Sequence, residues 1–243
     1  YNKQLQAYHF ILKPITRKIW NRSKKVVALS DGLKKIALQT SPNKEMAVIG
    51  NGVETDVFKP LPKLSKNKNT FNIVCVARLI ERKGIQFLLK AIHLMSDSSL
   101  RLMIVGTGNY QNELKSLTRE LNIEEQVEFY GYCPRKRLPE LYNSSDCFIL
   151  PSMAESFGIV FAEAMACGLP VVGCRVGGVP DLIPKEGGIL IEPENIEDIV
   201  NAIKILKSDG KLCEKMGNIN NNEMITKYSW LKVANEYLKL YMK

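Results

Sequence analysis

Most of the chain after residue 70 alternates short apolar runs with longer helical patterns, and this rhythm constrains the fold more than any other feature of the 243 residues. The apolar runs predict strands at 72–77, 101–105, 126–130, 146–150, 171–174 and 188–191. The segments between and after them predict helices near 84–96, 109–122, 137–143, 158–167 and 194–207. Such alternation predicts an α/β fold, a Rossmann-like parallel sheet with helices on both faces. Sheets of this kind bind ligands at the carboxyl ends of their strands, near a topological switch point.

Two glutamates, Glu155 and Glu163, lie in a segment that predicts a polar loop followed by a helix. The first carboxylate is in the loop and the second is on the helix, so both can face a ligand that lies over the helix start. The first amides of a helix are unpaired and its dipole is positive there, which suits a phosphate. Ser156 and Gly158 allow close backbone approach to such a ligand. Carboxylates beside an anion site are useful if they accept hydrogen bonds from sugar hydroxyls.

The alternative is that both glutamates are ordinary solvated charges, and their spacing alone favours that interpretation. The apolar residues around Glu163 argue against it, because Phe161, Ala162, Ala164 and Met165 are typical of a buried helix. We therefore expect Glu163 to be partly buried, and a buried carboxylate needs a partner.

Arg78 and Lys83 form a second group at the carboxyl end of the first predicted strand of the sheet. An arginine fork and a lysine point charge at such a crevice suit a diphosphate. They would neutralise the charge that develops on a departing nucleotide diphosphate. Taken alone, the spacing is more typical of solvated loop residues than of a diphosphate site.

Three glycine-containing loops follow other predicted strands and carry weaker signals. Gly106–Gly108 is typical of a tight strand–helix turn, and Gln111 stands where a nicotinamide-binding fingerprint requires glycine, which counts against a dehydrogenase. Gly131–Pro134 predicts either a backbone contact to a nucleobase or a simple helix start. Gly177–Gly178 indicates either a close backbone approach or an ordinary turn.

The basic character of the chain lies in its N-terminal part. Residues 1–70 hold 14 Lys and Arg against 4 Asp and Glu, and the whole chain has a net charge of +9. This segment suits an anionic membrane surface, a nucleic acid or a phosphorylated acceptor, or else it is a solvated face. No nucleic-acid recognition motif accompanies it, so no nucleic-acid partner is predicted. The scattered cysteines predict a reducing, cytoplasmic location, with peripheral contact at the inner membrane face as the further expectation.

In their order along the chain these motifs resemble those of the retaining group 1, or family-four, glycosyltransferases, which have two Rossmann-like domains in the GT-B arrangement. The resemblance runs from about Val26 to the C-terminus, and the ordered set is more specific than any single motif. It is carried by Asn51–Pro60, Arg78–Lys83, Gly106–Gly108, Val127–Gly131, Pro151–Ser152, Glu155–Glu163, Gly168–Val171 and Gly177–Pro180.

The resemblance implies a nucleotide-sugar donor, expected to be a UDP-sugar, whose sugar is transferred with retained configuration and without a metal or cofactor. Arg78 and Lys83 would bind the diphosphate and Glu155 the hydroxyls of the transferred sugar, which makes these three the candidate catalytic residues. Glu163 would bind the ribose hydroxyls. The other donor-binding candidates are the residues at the helix start and those that border the base: Ser156, Phe157, Gly158 and Ile159, then Tyr132, Cys133 and Leu138.

The resemblance also implies a domain organisation. Residues 1–50 would be a remnant of the N-terminal acceptor domain, 51–70 the interdomain linker, 71–226 the nucleotide-sugar-binding domain and 227–243 a C-terminal crossing helix. Most of the acceptor domain would be missing, so the strand predicted at Val26–Leu29 is expected to lack a partner. The expected acceptor is a glycan, a lipid-linked glycan or a small molecule. The alternatives are a non-catalytic nucleotide-sugar-binding module or a truncated inactive fragment, and more remotely an epimerase or a phosphorylase.

Overall fold

The computed structural model describes residues 3–62 and 69–242, with side chains from Leu12 onward. Parts of the predicted N-terminal segment, linker and C-terminal helix fall on residues 1–2, 63–68 and 243, which lie outside the described residues. Within the described part, a six-stranded sheet and a two-stranded sheet are the two units of β-structure.

The strands lie close to their predicted positions: β1 Val26–Ala28, β2 Met46–Val48, β3 Phe71–Val76, β4 Leu100–Val105, β5 Val127–Gly131, β6 Cys147–Leu150, β7 Val171–Cys174 and β8 Gly188–Ile191. The last six form one sheet in the order β5-β4-β3-β6-β7-β8, and every neighbouring pair is parallel. The chain moves outward from β3 to β5, returns to β6 beside β3, and then moves outward on the other side. The predicted parallel sheet is confirmed, and its topological switch point lies between β3 and β6.

Helices flank this sheet in two groups, in which α3 packs against α4 and α8 while α6 packs against α5 and α9. The helices are α1 Lys3–Arg22, α2 Asp31–Thr40, α3 Ile85–Met95, α4 Gln111–Glu120, α5 Leu138–Asn143, α6 Ile159–Ala166, α7 Val179–Leu182, α8 Ile196–Ser208, α9 Gly210–Glu223 and α10 Trp230–Tyr241. A π-helical turn, Met224–Tyr228, joins α9 to α10. None of the helices in residues 3–62 and 69–242 is long and apolar enough to cross a membrane.

A chain of aromatic contacts runs through the core beneath the switch point. The rings of Phe58, Tyr142, Phe148 and Phe161 follow one another with centroids 6.2, 6.0 and 5.0 Å apart. All four side chains are fully buried, as are all residues of β6 and β7, because central parallel strands are covered on both faces. This packing fixes the base from which the loop after β6 and the start of α6 project.

The N-terminal segment forms a small unit of its own. β1 and β2 pair in parallel, and α2 connects them. The expectation that Val26–Leu29 has no partner strand is therefore wrong. Met46–Val48 satisfies the hydrogen-bonding groups of β1, since α2 returns the chain far enough for a parallel pairing.

Two contacts at the start of α2 join this small unit to the loops of the main sheet. The Ser30 hydroxyl caps α2 by accepting a hydrogen bond from the Leu33 amide at 3.1 Å, and it lies 3.4 Å from the Ser156 carbonyl oxygen. The Gly32 amide donates to Asp181 Oδ2 at 2.9 Å. The capped end of α2 therefore lies beside the loop that carries Glu155.

Candidate functional site

The loops after β3 and β6 diverge at the switch point and carry the three candidate catalytic residues. Arg78 lies just beyond β3, and Lys83 ends the short 3-10 helix Glu81–Lys83. Glu155 lies in the loop between β6 and α6. Because β3 and β6 are parallel neighbours, these residues meet at the carboxyl edge of the sheet.

Lys83 and Glu155 are in direct contact. Lys83 Nζ lies 2.5 Å from Glu155 Oε2, and the two side chains are only 13% and 15% exposed. Two residues that are 72 positions apart in the sequence therefore form one ion pair between the two loops. Arg78 is exposed, so its guanidinium is accessible to a ligand at the same edge.

Backbone contacts fix the loop that carries Glu155. The Met153 amide donates to the Arg82 carbonyl oxygen at 2.9 Å, and the Gly178 amide donates to the Glu155 carbonyl oxygen at 3.3 Å. Gly177 has φ 54°, and a Cβ at this position would lie 1.6 Å from the Glu155 carbonyl oxygen. Of the two interpretations left open for the glycine pair, the structure therefore supports a close backbone approach, and the group approached is the Glu155 loop.

The loop that carries Arg78 and Lys83 is held equally closely. Gly84 has φ 70°, and a Cβ there would lie 2.0 Å from the Pro151 carbonyl oxygen. The Gly106–Gly108 segment forms the predicted tight turn and accepts a hydrogen bond from the Leu79 amide at 2.9 Å. Lys83 therefore extends from a backbone that packs closely against the residue after β6.

The start of α6 faces the same crevice without a cap. Its N-cap residue is Gly158, and no side chain in the described part of the chain caps it. Ser156 and Ile159 are exposed, whereas the Phe157 side chain is buried and packs on Tyr228. Phe157 can therefore meet a ligand only through its backbone. The free amides and the positive helix end suit an anion.

Glu163 is buried within α6, as its apolar neighbours predicted, and is 3% exposed. Its Oε1 accepts from Arg135 Nε at 3.1 Å, and its Oε2 accepts from the Tyr142 hydroxyl at 3.4 Å. Burial raises the pKa of the Glu163 carboxyl above its ordinary value, while the Arg135 guanidinium acts in the opposite direction. The expected partner of this buried carboxylate is thus an arginine.

Sequence reasoning missed Arg135 as a site residue, and it missed the second carboxylate that Arg135 binds. Arg135 Nη1 lies 2.9 Å from Glu54 Oε1, and the guanidinium lies 5.3 Å from the centre of the Phe58 ring. The available signals were the position of Arg135 just after a strand-end loop and the presence of Glu54 in the Asn51–Pro60 motif. Neither signal specifies the pairing, which depends on the tertiary fold.

The three residues expected to border a base differ in how far they are exposed to solvent. The Tyr132 side chain is 75% exposed, whereas Cys133 and Leu138 are both 8% exposed and belong to the core. Tyr132 is therefore the one of the three that presents its side chain at this edge. Among the described residues, no three His, Cys, Asp or Glu side chains cluster in a way that could hold a metal ion.

Comparison with known families identifies the family of this chain. Residues 56–223, more than half of the 243, match the family of glycosyl transferases group 1. The chain belongs to this family. The resemblance that the ordered motifs indicate is therefore confirmed.

Individual relatives of the chain are longer than the chain itself. It is 31% identical over 230 residues to an uncharacterized glycosyltransferase of Methanocaldococcus jannaschii, which corresponds to 89% of this chain and 59% of that protein. It is 32% identical over 241 residues to a component of the phosphatidylinositol N-acetylglucosaminyltransferase of Arabidopsis thaliana, or 96% of this chain and 50% of that one. The chain therefore spans between half and three fifths of the length of these curated relatives.

The fold also occurs in solved structures. The crystal structure of Anabaena HepE in complex with UDP superposes with a TM-score of 0.88 at 24% identity, over 95% of this chain and 67% of that chain. This likeness concerns the fold. The predicted Rossmann-like architecture of a GT-B glycosyltransferase is confirmed.

Proposed function

We propose that this chain forms the donor-binding part of a glycosyltransferase that moves a hexose from a nucleotide-sugar to an acceptor. The observation that carries the proposal is the Lys83–Glu155 ion pair at the switch point, 2.5 Å between its charged atoms, beside exposed Arg78 and the uncapped start of α6. Cations and free amides suit a diphosphate, and carboxylates suit sugar hydroxyls. Family membership supports the same assignment.

The diphosphate would bind between Arg78, Lys83 and the backbone amides of Phe157, Gly158 and Ile159. Lys83, which Glu155 holds in place, and the helix amides are positioned before the ligand arrives, so they would stabilise the negative charge that develops on the leaving nucleotide with little reorganisation. Glu155 is in contact with Lys83 and would accept hydrogen bonds from hydroxyls of the transferred sugar. The exposed Ser156 lies at the entrance to this part of the site.

The nucleoside would extend from the diphosphate toward α5. Glu163 would bind the ribose hydroxyls, and the loop of Tyr132 and Cys133, with Leu138 behind it, would border the base. Because Cys133 and Leu138 are buried, they act through backbone and packing, and Tyr132 is the side chain available to the base.

We propose a UDP-sugar as the donor, transfer with retained configuration, and no requirement for a metal or cofactor. In this scheme the departing phosphate assists the acceptor on the face of the sugar that it leaves, and Arg78 and Lys83 supply the positive charge that a metal ion supplies elsewhere. The family resemblance supports each of these points. The base is open to test, because one relative is named as a GDP-mannose-dependent mannosyltransferase.

For the acceptor we propose a glycan or a lipid-linked molecule, bound with the help of residues 1–50 as part of an acceptor domain. Residues 51–70 would link this domain to the donor domain at 71–226, and 227–243 would pack back onto it. A relative whose name specifies phosphatidylinositol as acceptor supports a lipid acceptor. The basic residues of the N-terminal segment would then contact an anionic inner membrane face from the cytoplasm.

A second function is nucleotide-sugar binding without transfer, because Lys83, Glu155 and the uncapped start of α6 can bind a donor whether or not an acceptor is bound. Assays of sugar transfer and donor hydrolysis with this chain, and with one extended by an upstream domain, separate the two functions. Transfer by either chain supports the enzyme, whereas binding with no transfer or hydrolysis by either supports the binding module.

Calorimetric titration with UDP, GDP and ADP tests the donor site itself. We expect at least one of them to bind and Arg78→Ala to weaken that binding by about tenfold, the magnitude of a lost charge-assisted hydrogen bond. Arg175→Ala is the matched control, because this exposed arginine follows β7 at the same edge and pairs with Glu192 at 3.2 Å. If all three nucleotides fail to bind, the donor-site proposal is wrong.

A further inference from the structure

We propose that Arg135 is a positioning residue of the ribose subsite, which keeps the Glu163 carboxylate ionised and aimed at the nucleotide; this inference rests on the proposed function. Nothing in the chain's motifs assigns a role to Arg135. The contacts of Arg135 in the structure indicate one, because Arg135 is the cation that contacts the buried Glu163 carboxylate at the centre of the proposed site.

The guanidinium of Arg135 contacts two carboxylates at once. Its Nε lies 3.1 Å from Glu163 Oε1 and its Nη1 lies 2.9 Å from Glu54 Oε1. The Glu163 side chain is 4% exposed, but that of Arg135 is 48% exposed. Arg135 therefore stands between a buried carboxylate and the crevice. The contact with Glu54 holds the guanidinium beside Glu163 even when a hydroxyl takes over part of the Nε contact.

The other titratable groups around Glu163 cannot replace this charge. Tyr142 faces it from α5 and Cys167 from the end of α6, and burial raises the pKa of both, that of Cys167 to about 12. Both are therefore neutral at physiological pH. Glu54, on the segment before the main sheet, adds a like charge that disfavours the ionised form of Glu163. Among the groups that face Glu163 in the described structure, Arg135 alone is a cation.

The ionisation state of Glu163 decides how many hydrogen bonds it can accept from the hydroxyls of a ribose. The 2′- and 3′-hydroxyls both donate hydrogen bonds, and an ionised carboxylate can accept both. A protonated carboxyl loses acceptor capacity and gains a donor that a diol does not need. A buried carboxyl without its counter-ion is protonated at a higher pH, because burial disfavours the charged form. Loss of Arg135 therefore makes ribose recognition depend on pH.

The experiment measures the preference of the site for ribose over 2′-deoxyribose. Dissociation constants are determined by calorimetry for whichever of UDP, GDP and ADP binds most tightly and for its 2′-deoxy analogue, at several pH values from about 6 to about 8.5. The ratio of the two constants cancels protonation of the diphosphate, which both nucleotides share. Arg135→Gln removes the charge and Arg135→Lys restores it. Arg137→Gln is the matched control, because this arginine of the same loop pairs with Glu140 at 3.6 Å and not with Glu163.

We expect the ratio to be constant across this range in the wild-type chain, in Arg135→Lys and in Arg137→Gln. In Arg135→Gln it should fall by about tenfold at the acid end and recover at the alkaline end, as the carboxylate regains its charge. A circular dichroism melt of each variant at both pH values confirms that the chains are folded.

Two results would overturn the inference. A constant wild-type ratio in Arg135→Gln would show that Glu163 does not need this cation. A ratio that is lost equally at every pH would place Arg135 in contact with the ribose itself. In both cases the wild-type chain still binds nucleotide, so the donor-site proposal stands; if the wild-type chain binds none of the three nucleotides, both proposals fail.

Discussion

The two edges of the main sheet carry their charged side chains in different ways. At the carboxyl edge, Lys83–Glu155 and Arg135–Glu163 join separate loops, and the two carboxylate side chains are 15% and 4% exposed. At the amino edge, a hollow of about 570 Å³ is lined by charged residues that are exposed to solvent, Arg101, Glu124, Glu125 and Glu128. The burial and pairing of charge therefore distinguish the two edges.

The burial of charge at the carboxyl edge makes this edge the candidate site. Removing a carboxylate from water is costly, and a buried ion pair is weak evidence of a stabilising role. Exposed charges such as those at the amino edge cost nothing and need no further explanation. We therefore infer that the buried charges at the switch point serve ligand binding.

Lys83→Ala should weaken nucleoside diphosphate binding most, by about 100-fold, because it removes a charge-assisted contact and leaves Glu155 unpaired beside the phosphate. Calorimetry with the tightest-binding nucleotide measures the change. Arg101→Ala, at the amino edge, is the control. It should change the affinity by less than about twofold, because salt screens an exposed charge at the opposite edge of the sheet. Equal losses in the two variants would remove the distinction between the edges.

Gly84→Ala should lower the free energy of unfolding by about 2 kcal/mol, because φ is 70° and the new Cβ would meet the Pro151 carbonyl oxygen. It should also weaken nucleotide binding, since Lys83 is the adjacent residue. Gly210→Ala is the control, because nothing lies within 4 Å of a Cβ at the start of α9. Chemical denaturation of both variants checks the prediction, and a Gly84→Ala chain as stable as Gly210→Ala would contradict it.

Lys207→Met should have the smallest effect, a loss of about 1 kcal/mol in the free energy of unfolding at neutral pH. Hydrogen bonds from Lys207, and then from Ser99, lower the pKa of Asp97 from its ordinary 3.8 to about 2. A lowered carboxyl pKa contributes stability above the unfolded value, and this is lost as the pH falls from about 4 to about 2. The variant and the wild type should therefore converge in acid.

Urea denaturation at several pH values measures this convergence, with Lys204→Met on the same helix as the exposed control. A difference between Lys207→Met and the wild type that persists at acid pH would show that packing, and not the Asp97 charge, is responsible. Neither variant should alter nucleotide binding, because both lysines lie on α8, away from the carboxyl edge.

The sequence predicted the elements that local patterns determine. The alternation of apolar runs located the six strands of the main sheet, because the strands of a covered parallel sheet are mostly apolar. The apolar flanks of Glu163 predicted its burial and its need for a partner. These features follow from residues that are close together in the chain, so a single sequence contains them.

The sequence could not supply contacts between distant segments. Arg135 is 28 residues from Glu163 and 81 from Glu54, and only the folded chain brings the three together. The partner of the strand at Val26 was missed for the same reason, since its pairing with Met46–Val48 depends on how α2 returns the chain. Gly177 is typical of a turn until the Glu155 carbonyl is seen against it.

The central claim is that the switch point between β3 and β6 holds a nucleoside diphosphate. A crystal structure of the chain with the tightest-binding of UDP, GDP and ADP tests it most directly. We predict electron density for the diphosphate beside Arg78, Lys83 and the first amides of α6, with the ribose hydroxyls within hydrogen-bonding distance of Glu163. Nucleotide bound in the amino-edge hollow, with the crevice between β3 and β6 empty, would contradict the account.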